Sequence, residues 1–437
     1  MRLRVFAYSI KVYVSTINKK SSLVGTKQST VNKFTIYYLK CTIIKKMNKI
    51  IFLKLKKEGS ILRFHPWVFS GAIMRIDGKP AEGDLVQVLS ADGQFLAIGH
   101  YQIGSIAVRI ISFENQNIDE DFWSKKIENA FLLRKNLGLI SEKNNTYRLV
   151  HGEGDSLPGL IVDVYDDTAI MQAHSVGMHL VRNVLAEIIV KKVDGVKNVF
   201  YKSETTLPYK AGIESEDGYL IGKNSSEIAI ENGLQFHIDW MKGQKTGFFI
   251  DQRENRSLLE YYAAGKSVLN MFCYTGGFSV YAMRGAALQV HSVDSSAKAI
   301  DLTNKNVALN FPHSKNHKAF AEDAFKFMNS SNEKYDIVVL DPPAFAKHRD
   351  AVHNALKGYK RLNNKGFELL KKGGILFTFS CSQAISREQF RLAVFSAAAE
   401  SKRNVRILHQ LSQPADHPVN IYHPEGEYLK GLVLWVE

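Results

Sequence analysis

Cysteine is scarce in this chain of 437 residues, which contains only Cys41, Cys273 and Cys381, far apart and without a CxxC pair. This spacing argues against a disulfide framework and a structural zinc site, and no metal site is predicted. It also suits a reducing compartment, so a cytoplasmic location is expected. No uninterrupted apolar run approaches membrane-spanning length, and no membrane association is expected.

Acidic residues are absent from residues 1–46, which contain ten Lys and Arg residues. The rest of the chain holds 47 basic and 43 acidic residues, so the net charge of +14 comes largely from this stretch. The body is only mildly basic, and total charge does not demonstrate an RNA-binding face. Residues 1–46 also lack periodicity. They are predicted to be a non-native or disordered leader, with Met47 starting the folded protein.

The chain is too long for one ordinary core, and its patterns predict three domains. Residues 47–118 contain short β segments separated by DG and GD turns, typical of a small β-barrel. Within them, Arg63, Phe64 and His65 are predicted to bind substrate as an aromatic and basic surface. The neighbouring Trp67 and Phe69 are interpreted as core residues.

Helical and strand patterns are mixed in residues 119–232, which predicts a central α+β domain. Residues 233–437 alternate regularly between strand and helix. This alternation predicts an α/β domain with a doubly wound sheet whose last strand returns antiparallel.

A turn rich in small residues follows the apolar run that begins at Ser267, in the sequence SVLNMFCYTGG. Strand, glycine turn and helix in this order present backbone N–H groups to a nucleotide-like ligand. The turn lacks the third glycine of GxGxxG, which disfavours a nicotinamide dehydrogenase. The residues around it that are predicted to bind the cofactor are Asn270, Phe272, Tyr274, Thr275, Gly276 and Gly277.

Carboxylates follow the next two predicted strands. Asp294, with Ser295 beside it, is placed to accept hydrogen bonds from ribose hydroxyls, and Asp323 from an adenine amino group. The alternative for both aspartates is a helix N-cap. The recurrence at successive strand ends favours an adenosine-containing cofactor.

The sequence DPPAF follows another strand, and SCS follows the strand after that. Asp341 is predicted to serve both cofactor binding and catalysis, whereas Pro342, Pro343 and Phe345 are predicted to contact the substrate base. Loops after adjacent parallel strands share one sheet edge, so Cys381 should converge with Asp341. On geometry alone, a nucleophile and an inert buried thiol are equally good interpretations of Cys381. Cys273 is interpreted as a packing residue.

Taken together, these motifs resemble the class I S-adenosylmethionine-dependent ribosomal RNA methyltransferases of the large-subunit 5-methylcytosine group. The resemblance runs from about Met47 to the C-terminus. The matching segments are FHPWVFSGAI, HGEGDSLPGLIVDVY, QKTGFFIDQRENR, NMFCYTGGFSV, DPPAFAK, SCS and DHPVNIYHPEGEYLKGLVLWV. It implies a PUA-like RNA-binding domain, a central domain and a Rossmann-like seven-stranded catalytic domain. It also implies that Asp251, Gln252 and Arg253 help form the cofactor site and that Cys381 is the nucleophile.

The expected reaction is methyl transfer from S-adenosylmethionine to C5 of a cytidine in large-subunit ribosomal RNA, through a covalent Cys381 adduct. Asp341 would bind the N3/N4 edge of the base. The target must be unstacked, which favours single-stranded RNA that is protein-free or early in assembly. Two alternatives stay open: a guanine-nitrogen methyltransferase, which needs no Cys381, and a non-catalytic RNA-binding assembly factor. The oligomeric state, monomer or homodimer, is also open.

Overall fold

The N-terminal part of the fold is one six-stranded sheet. The computed structural model describes residues 49–437 apart from residues 209–211, 214, 224–226 and 347, so the predicted leader at 1–46 lies outside the described residues. The sheet has the order β2-β6-β5-β4-β1-β3, with β1 and β4 parallel and the other pairs antiparallel. Its strands are β1 (Ile50–Leu53), β2 (Trp67–Phe69), β3 (Ile73–Asp77), β4 (Leu85–Leu89), β5 (Phe95–Tyr101) and β6 (Ile106–Ser112).

The edge strand β2 corrects one prediction, because Phe69 is not a core residue. Its side chain is 44% exposed, and Trp67 is only half-buried, whereas Val68 between them is buried. Side chains alternate between the two faces of a strand, so the central residue of this strand alone faces the core. Trp67 instead donates from Nε1 to Oε1 of Glu153 at 2.8 Å.

The central α+β region forms a five-stranded sheet of order β11-β10-β9-β8-β7 with helices packed against it. Its elements are α1 (Glu120–Asn136), β7 (Thr146–His151), β8 (Leu160–Tyr165), β9 (Thr168–Ala173), α2 (Val176–Leu180), α3 (Arg182–Lys192), β10 (Asn198–Tyr201) and β11 (Gly218–Ile221). The helices α2 and α3 are separated at Val181 (φ −97°, ψ 5°). There the guanidinium of Arg182 donates to the carbonyl of His179, which satisfies a helix-end acceptor.

A hairpin of β12 (Ile228–Glu231) and β13 (Leu234–His237) leads into the last part of the chain. Its turn is Asn232-Gly233, and both residues have positive φ, as a tight two-residue hairpin requires. The predicted domain boundary between residues 232 and 233 falls in this turn.

The C-terminal part confirms the predicted doubly wound sheet. Seven strands lie in the order β16-β15-β14-β17-β18-β20-β19, and β20 is antiparallel to both of its neighbours. The elements are α4 (Arg253–Tyr262), β14 (Ser267–Met271), α5 (Gly277–Arg284), β15 (Gln289–Asp294), α6 (Ala297–Asn310), β16 (His317–Ala321), α7 (Ala324–Ser330), β17 (Tyr335–Leu340), α8 (Val352–Leu369), β18 (Leu370–Ser380), α9 (Arg387–Ser401), β19 (Val405–Leu411) and β20 (Lys430–Val436).

The parallel strands β14 to β18 bring their carboxyl ends to one edge of this sheet, which places the glycine turn, Asp294, Asp341 and Cys381 along that edge. The central strands β14 and β17 are almost wholly buried, as expected for parallel strands covered by helices on both faces. Among the described helices, none has the length and apolar character needed to cross a membrane.

Candidate active site

The turn after β14 curls tightly through left-handed backbone conformations. Phe272, Tyr274 and Gly276 have φ of 58°, 48° and 79°. A Cβ at Gly276 would lie 2.7 Å from Cγ2 of Thr303, so both the conformation and the close approach of α6 require glycine. Positive φ at two bulky residues is unusual and is typical of functional loops.

Asp294 shapes this turn with its carboxylate. Its Oδ2 accepts from the backbone N–H of Tyr274 at 3.0 Å, and its Oδ1 accepts from that of Ser296 at 2.9 Å. The N-cap of α6 is Ser296, so the capping alternative is wrong for Asp294. Each carboxylate oxygen keeps acceptor capacity for a ribose hydroxyl. Ser295, which lies between Asp294 and Ser296 in the sequence, is exposed.

Asp323 does cap a helix. Its side chain accepts from the backbone N–H of Lys326 at 2.9 Å at the start of α7. The capping alternative is therefore confirmed for Asp323, and a contact with adenine stays a prediction.

Two carboxylates, those of Asp251 and Asp341, lie close enough at the site for their charges to interact. Asp251 is buried and its Oδ2 accepts from the hydroxyl of Tyr428 at 2.7 Å. Gln252 donates from Nε2 to Oδ2 of Asp341 at 3.0 Å, and its own Oε1 accepts from Nδ2 of Asn255 at 2.6 Å. The amide of Gln252 is thus fixed in orientation, and it holds Asp341 beside Asp251.

The two carboxylates differ in protonation. Burial and the charge of Asp251 raise the pKa of Asp341 to about 7. Burial alone would also raise the pKa of Asp251. The charges of Lys245 and His417, together with the hydrogen bond from the Tyr428 hydroxyl, lower this pKa instead. At neutral pH Asp251 is therefore ionised, whereas Asp341 is able to hold or release a proton.

Cys381 is half-buried in the loop after β18, with Sγ 4.0 Å from the carbonyl oxygen of Pro342. The predicted convergence of SCS with DPP is confirmed. Burial, and then the charge of Asp341, raise the pKa of the Cys381 thiol to about 11. The resting thiol is protonated at neutral pH, so an attack by sulfur needs a partner that takes the proton. Cys273 is buried, with burial raising its pKa to about 12, which fits the predicted packing role.

The side chain of Arg253 contacts residues other than Asp251 and Asp341. Its guanidinium pairs with Asp416 at 3.0 Å and also donates to the carbonyl of Thr146. It thereby ties the start of α4 to the C-terminal segment and to β7. Its predicted role in cofactor binding stays a prediction.

The other residues predicted to bind the cofactor lie in the turn or directly beside it. Asn270 donates from Nδ2 to Oγ of Ser279 at 2.9 Å, and the carbonyl of Thr275 accepts from Nδ2 of Asn306 at 2.8 Å. Phe272 packs partly buried against the core beside the sheet, and Gly277 begins α5.

The predicted substrate contacts fall in two places. Pro342 is buried, Pro343 is exposed, and Phe345 is half-buried with its ring 4.6 Å from that of Tyr359, all near Cys381. The second group lies between β1 and β2, where Phe64 contacts the rings of Phe113 and Tyr422, and His65 lies 3.6 Å from Glu425. Arg63 is exposed and donates to the carbonyl of Gly59.

Sequence reasoning missed three residues at this site: Lys245, Tyr428 and Lys430. The exposed Lys245 lies close enough to lower the pKa values of Asp251, Asp341 and Cys381. All three residues lie within segments that carry the family resemblance, QKTGFF and EYLKG, which was the available signal.

The site fits S-adenosylmethionine. Among the described residues, Oδ1 of Asp251 is a buried acceptor without a hydrogen-bond partner, as is Oδ1 of Asn270. A buried acceptor on an ionised carboxylate suits the ammonium group of the cofactor, and Asp294 suits its ribose diol.

This chain is similar to several known proteins. A family model described as S-adenosylmethionine-dependent methyltransferase matches residues 209–425, and a PUA-like domain model matches residues 51–113. Ribosomal RNA large subunit methyltransferase I of Aeromonas hydrophila is 38% identical, covering 89% of this chain and 99% of that protein. The enzyme of the same name from Vibrio vulnificus is 38% identical over 88% and 99%. Among solved structures, SMU.776 complexed with SAH shares the fold, with a TM-score of 0.77, 24% identity and coverage of 89% and 100%.

Proposed function

Because this chain belongs to the ribosomal RNA large subunit methyltransferase I family of S-adenosylmethionine-dependent enzymes, we propose that it methylates C5 of a cytidine in large-subunit ribosomal RNA. Membership of this enzyme family leaves the non-catalytic alternative without support. The observation that carries the choice of C5 is the thiol of Cys381 beside the DPP loop, 4.0 Å from the Pro342 carbonyl. Transfer to a guanine nitrogen would use the cofactor site and Asp341 but no cysteine.

The proposed chemistry begins with sulfur, because C5 of cytosine is a poor nucleophile. Asp341 takes the thiol proton, and the Sγ thiolate of Cys381 adds to C6 of the base. The protonated Asp341 then donates to N3, where the added electron pair is delocalised. A pKa of about 7 suits a group that accepts a proton in one step and donates it in the next.

The cofactor supplies an electrophilic methyl group on its sulfonium. C5, now enamine-like, forms a bond to that carbon while the bond from methyl to sulfur breaks. Asp341 takes the proton back from N3, a base removes the proton from C5, and the C5–C6 double bond returns. Sγ leaves as a thiolate that recovers its proton from Asp341. The charge of Asp251 and the diol contacts of Asp294 would hold the cofactor in place.

The test is the Cys381→Ala variant with protein-free large-subunit ribosomal RNA and mass mapping of the product. We expect cofactor binding to remain and methyl transfer to be lost almost completely, with Cys273→Ala as the control that keeps activity. RNA carrying 5-fluorocytidine at the target should trap the wild-type enzyme covalently, because fluorine at C5 is not removed as a proton. Full activity of Cys381→Ala, or methyl found on a guanine nitrogen, would refute the proposal.

A further inference from the structure

A buried lysine lies directly behind the Cys381 loop. Lys430 begins β20, opposite Ser380 at the end of β18, and is 3% exposed. Its Nζ donates to the carbonyl of Ser382 at 2.6 Å. Within the described part of the chain, no carboxylate lies at ion-pair distance from it. Removing an ammonium from water without a carboxylate partner is unfavourable, so its presence here calls for a physical reason.

The loop that carries Cys381 is fixed on both sides. The Ser380 hydroxyl donates to the hydroxyl of Tyr359 at 2.9 Å, and the Ser382 hydroxyl donates to the carbonyl of Ala346, just after the DPPAF segment. Lys430 adds a third attachment through the Ser382 carbonyl. The residues on either side of Cys381 are therefore anchored, and the ammonium is held in a constant position relative to Sγ.

Charged groups from several elements act on Lys430 and Cys381. Burial lowers the pKa of Lys430 to about 8. Cys381 and Glu427 act in the opposite direction and raise this pKa, whereas the cation of Arg387 lowers it further. The charges of Asp341 and Asp251 raise the pKa of Cys381, and the cation of Lys245 lowers it. At neutral pH Lys430 is therefore mainly protonated. Glu427, the carboxylate that favours its charged form, lies beyond ion-pair distance from Lys430 and pairs with Arg387.

We propose that Lys430 is a positioning residue. Its buried ammonium holds the Cys381 loop and stabilises the thiolate of Cys381 during attack on the base. The inference rests on the proposed nucleophilic role of Cys381. In this arrangement the negative charge missing beside Lys430 is created by the reaction itself, when Sγ loses its proton.

The experiment measures alkylation of Cys381 by iodoacetamide across pH in the full chain, with the modified cysteine identified by peptide mass spectrometry. The variants are Lys430→Met, which removes the charge at similar length, and Lys430→Arg, which keeps it. The matched control is Lys334→Met, because Lys334 also donates to a backbone carbonyl, that of Glu368. Lys334 lies just before β17, at the end of the parallel strands opposite to the Cys381 loop. Circular dichroism and cofactor affinity verify the folding of each variant.

Loss of the cation should raise the pKa of the thiol by about one unit, so alkylation of Lys430→Met below pH 8 should slow about tenfold. The wild-type profile should bend near pH 8, where Lys430 loses its proton, and Lys430→Met should lack this bend. Lys430→Arg should react at about the wild-type rate without the bend, since arginine stays protonated.

An unchanged rate and bend in folded Lys430→Met would overturn the role of Lys430. So would an equal slowing in Lys334→Met. This failure is distinct from failure of the proposed function, which is decided by methyl transfer in Cys381→Ala and requires no alkylation data.

Discussion

The carboxyl of Asp341 should make the fold less stable as the pH rises. Its pKa is raised from about 3.9 in an unfolded chain to about 7 in the fold. A group with a raised pKa contributes stability below its unfolded pKa, and that contribution is lost as the pH rises towards the folded pKa. Asp341→Asn is neutral at every pH and keeps a partner for Gln252, so it should escape this loss.

The size of the effect follows from the two pKa values. Between pH 5 and pH 8, the wild type should lose about 2–3 kcal/mol of unfolding free energy relative to Asp341→Asn. Urea denaturation followed by circular dichroism at both pH values measures this difference. The same variant should have almost no methyl transfer, because asparagine neither takes the thiol proton nor protonates N3.

Asp336 at the start of β17 provides the matched control. Burial opposes its ionisation, but the hydrogen bonds from Ser267 and Lys371 together lower its pKa to about 2. Its stabilising contribution is complete above about pH 4, so the deficit of Asp336→Asn should be constant between pH 5 and pH 8. A constant difference for Asp341→Asn over the same interval would refute the raised pKa of Asp341.

Two further substitutions test the cofactor site and its support. Asp294→Ala should weaken S-adenosylmethionine binding by about 1.5–3 kcal/mol in calorimetry, the scale of charged hydrogen bonds, and unchanged affinity in a folded variant would reject its role. Glu231→Gln should lower the free energy of unfolding by about 3–5 kcal/mol, because it leaves buried Arg256 without its two-point partner at 2.9 and 2.7 Å and disturbs the Tyr281 hydroxyl. A urea midpoint equal to that of the wild type would contradict this.

Much of the catalytic sheet could be predicted from local pattern. Parallel strands covered on both faces appear in the sequence as short apolar runs, and helices between them repeat at regular intervals. Once this alternation is recognised, the carboxyl ends must share an edge, so the positions of Asp294, Asp341 and Cys381 followed without the structure. Whether Asp294 and Asp323 cap a helix could be decided only from the structure. An aspartate at the end of a strand and before a helix has the same sequence pattern whether or not it caps that helix.

The contacts that prepare the site for chemistry could not be predicted in this way. Tyr428 bonds to Asp251 across 177 positions of sequence, and Lys430 meets the Cys381 loop only because β20 inserts beside β18 in antiparallel register. No periodicity encodes such pairings. The exposure of Phe69 was missed for a related reason, since β2 turned out to be a short edge strand.

The balance of charge at the sheet edge suggests how the proposed reaction proceeds in a largely buried site. Moving the proton from Cys381 to Asp341 brings no net charge into the protein, since the negative charge only shifts from the carboxylate to Sγ. The shift removes repulsion between Asp341 and Asp251 and places the charge beside Lys430. Burial raises the pKa of the Cys381 thiol above that of Asp341, so this proton transfer is unfavourable in the resting site. Bond formation from Sγ to C6 and the hydrogen bond to N3 must offset that cost, so the thiolate accumulates only when the base is in place.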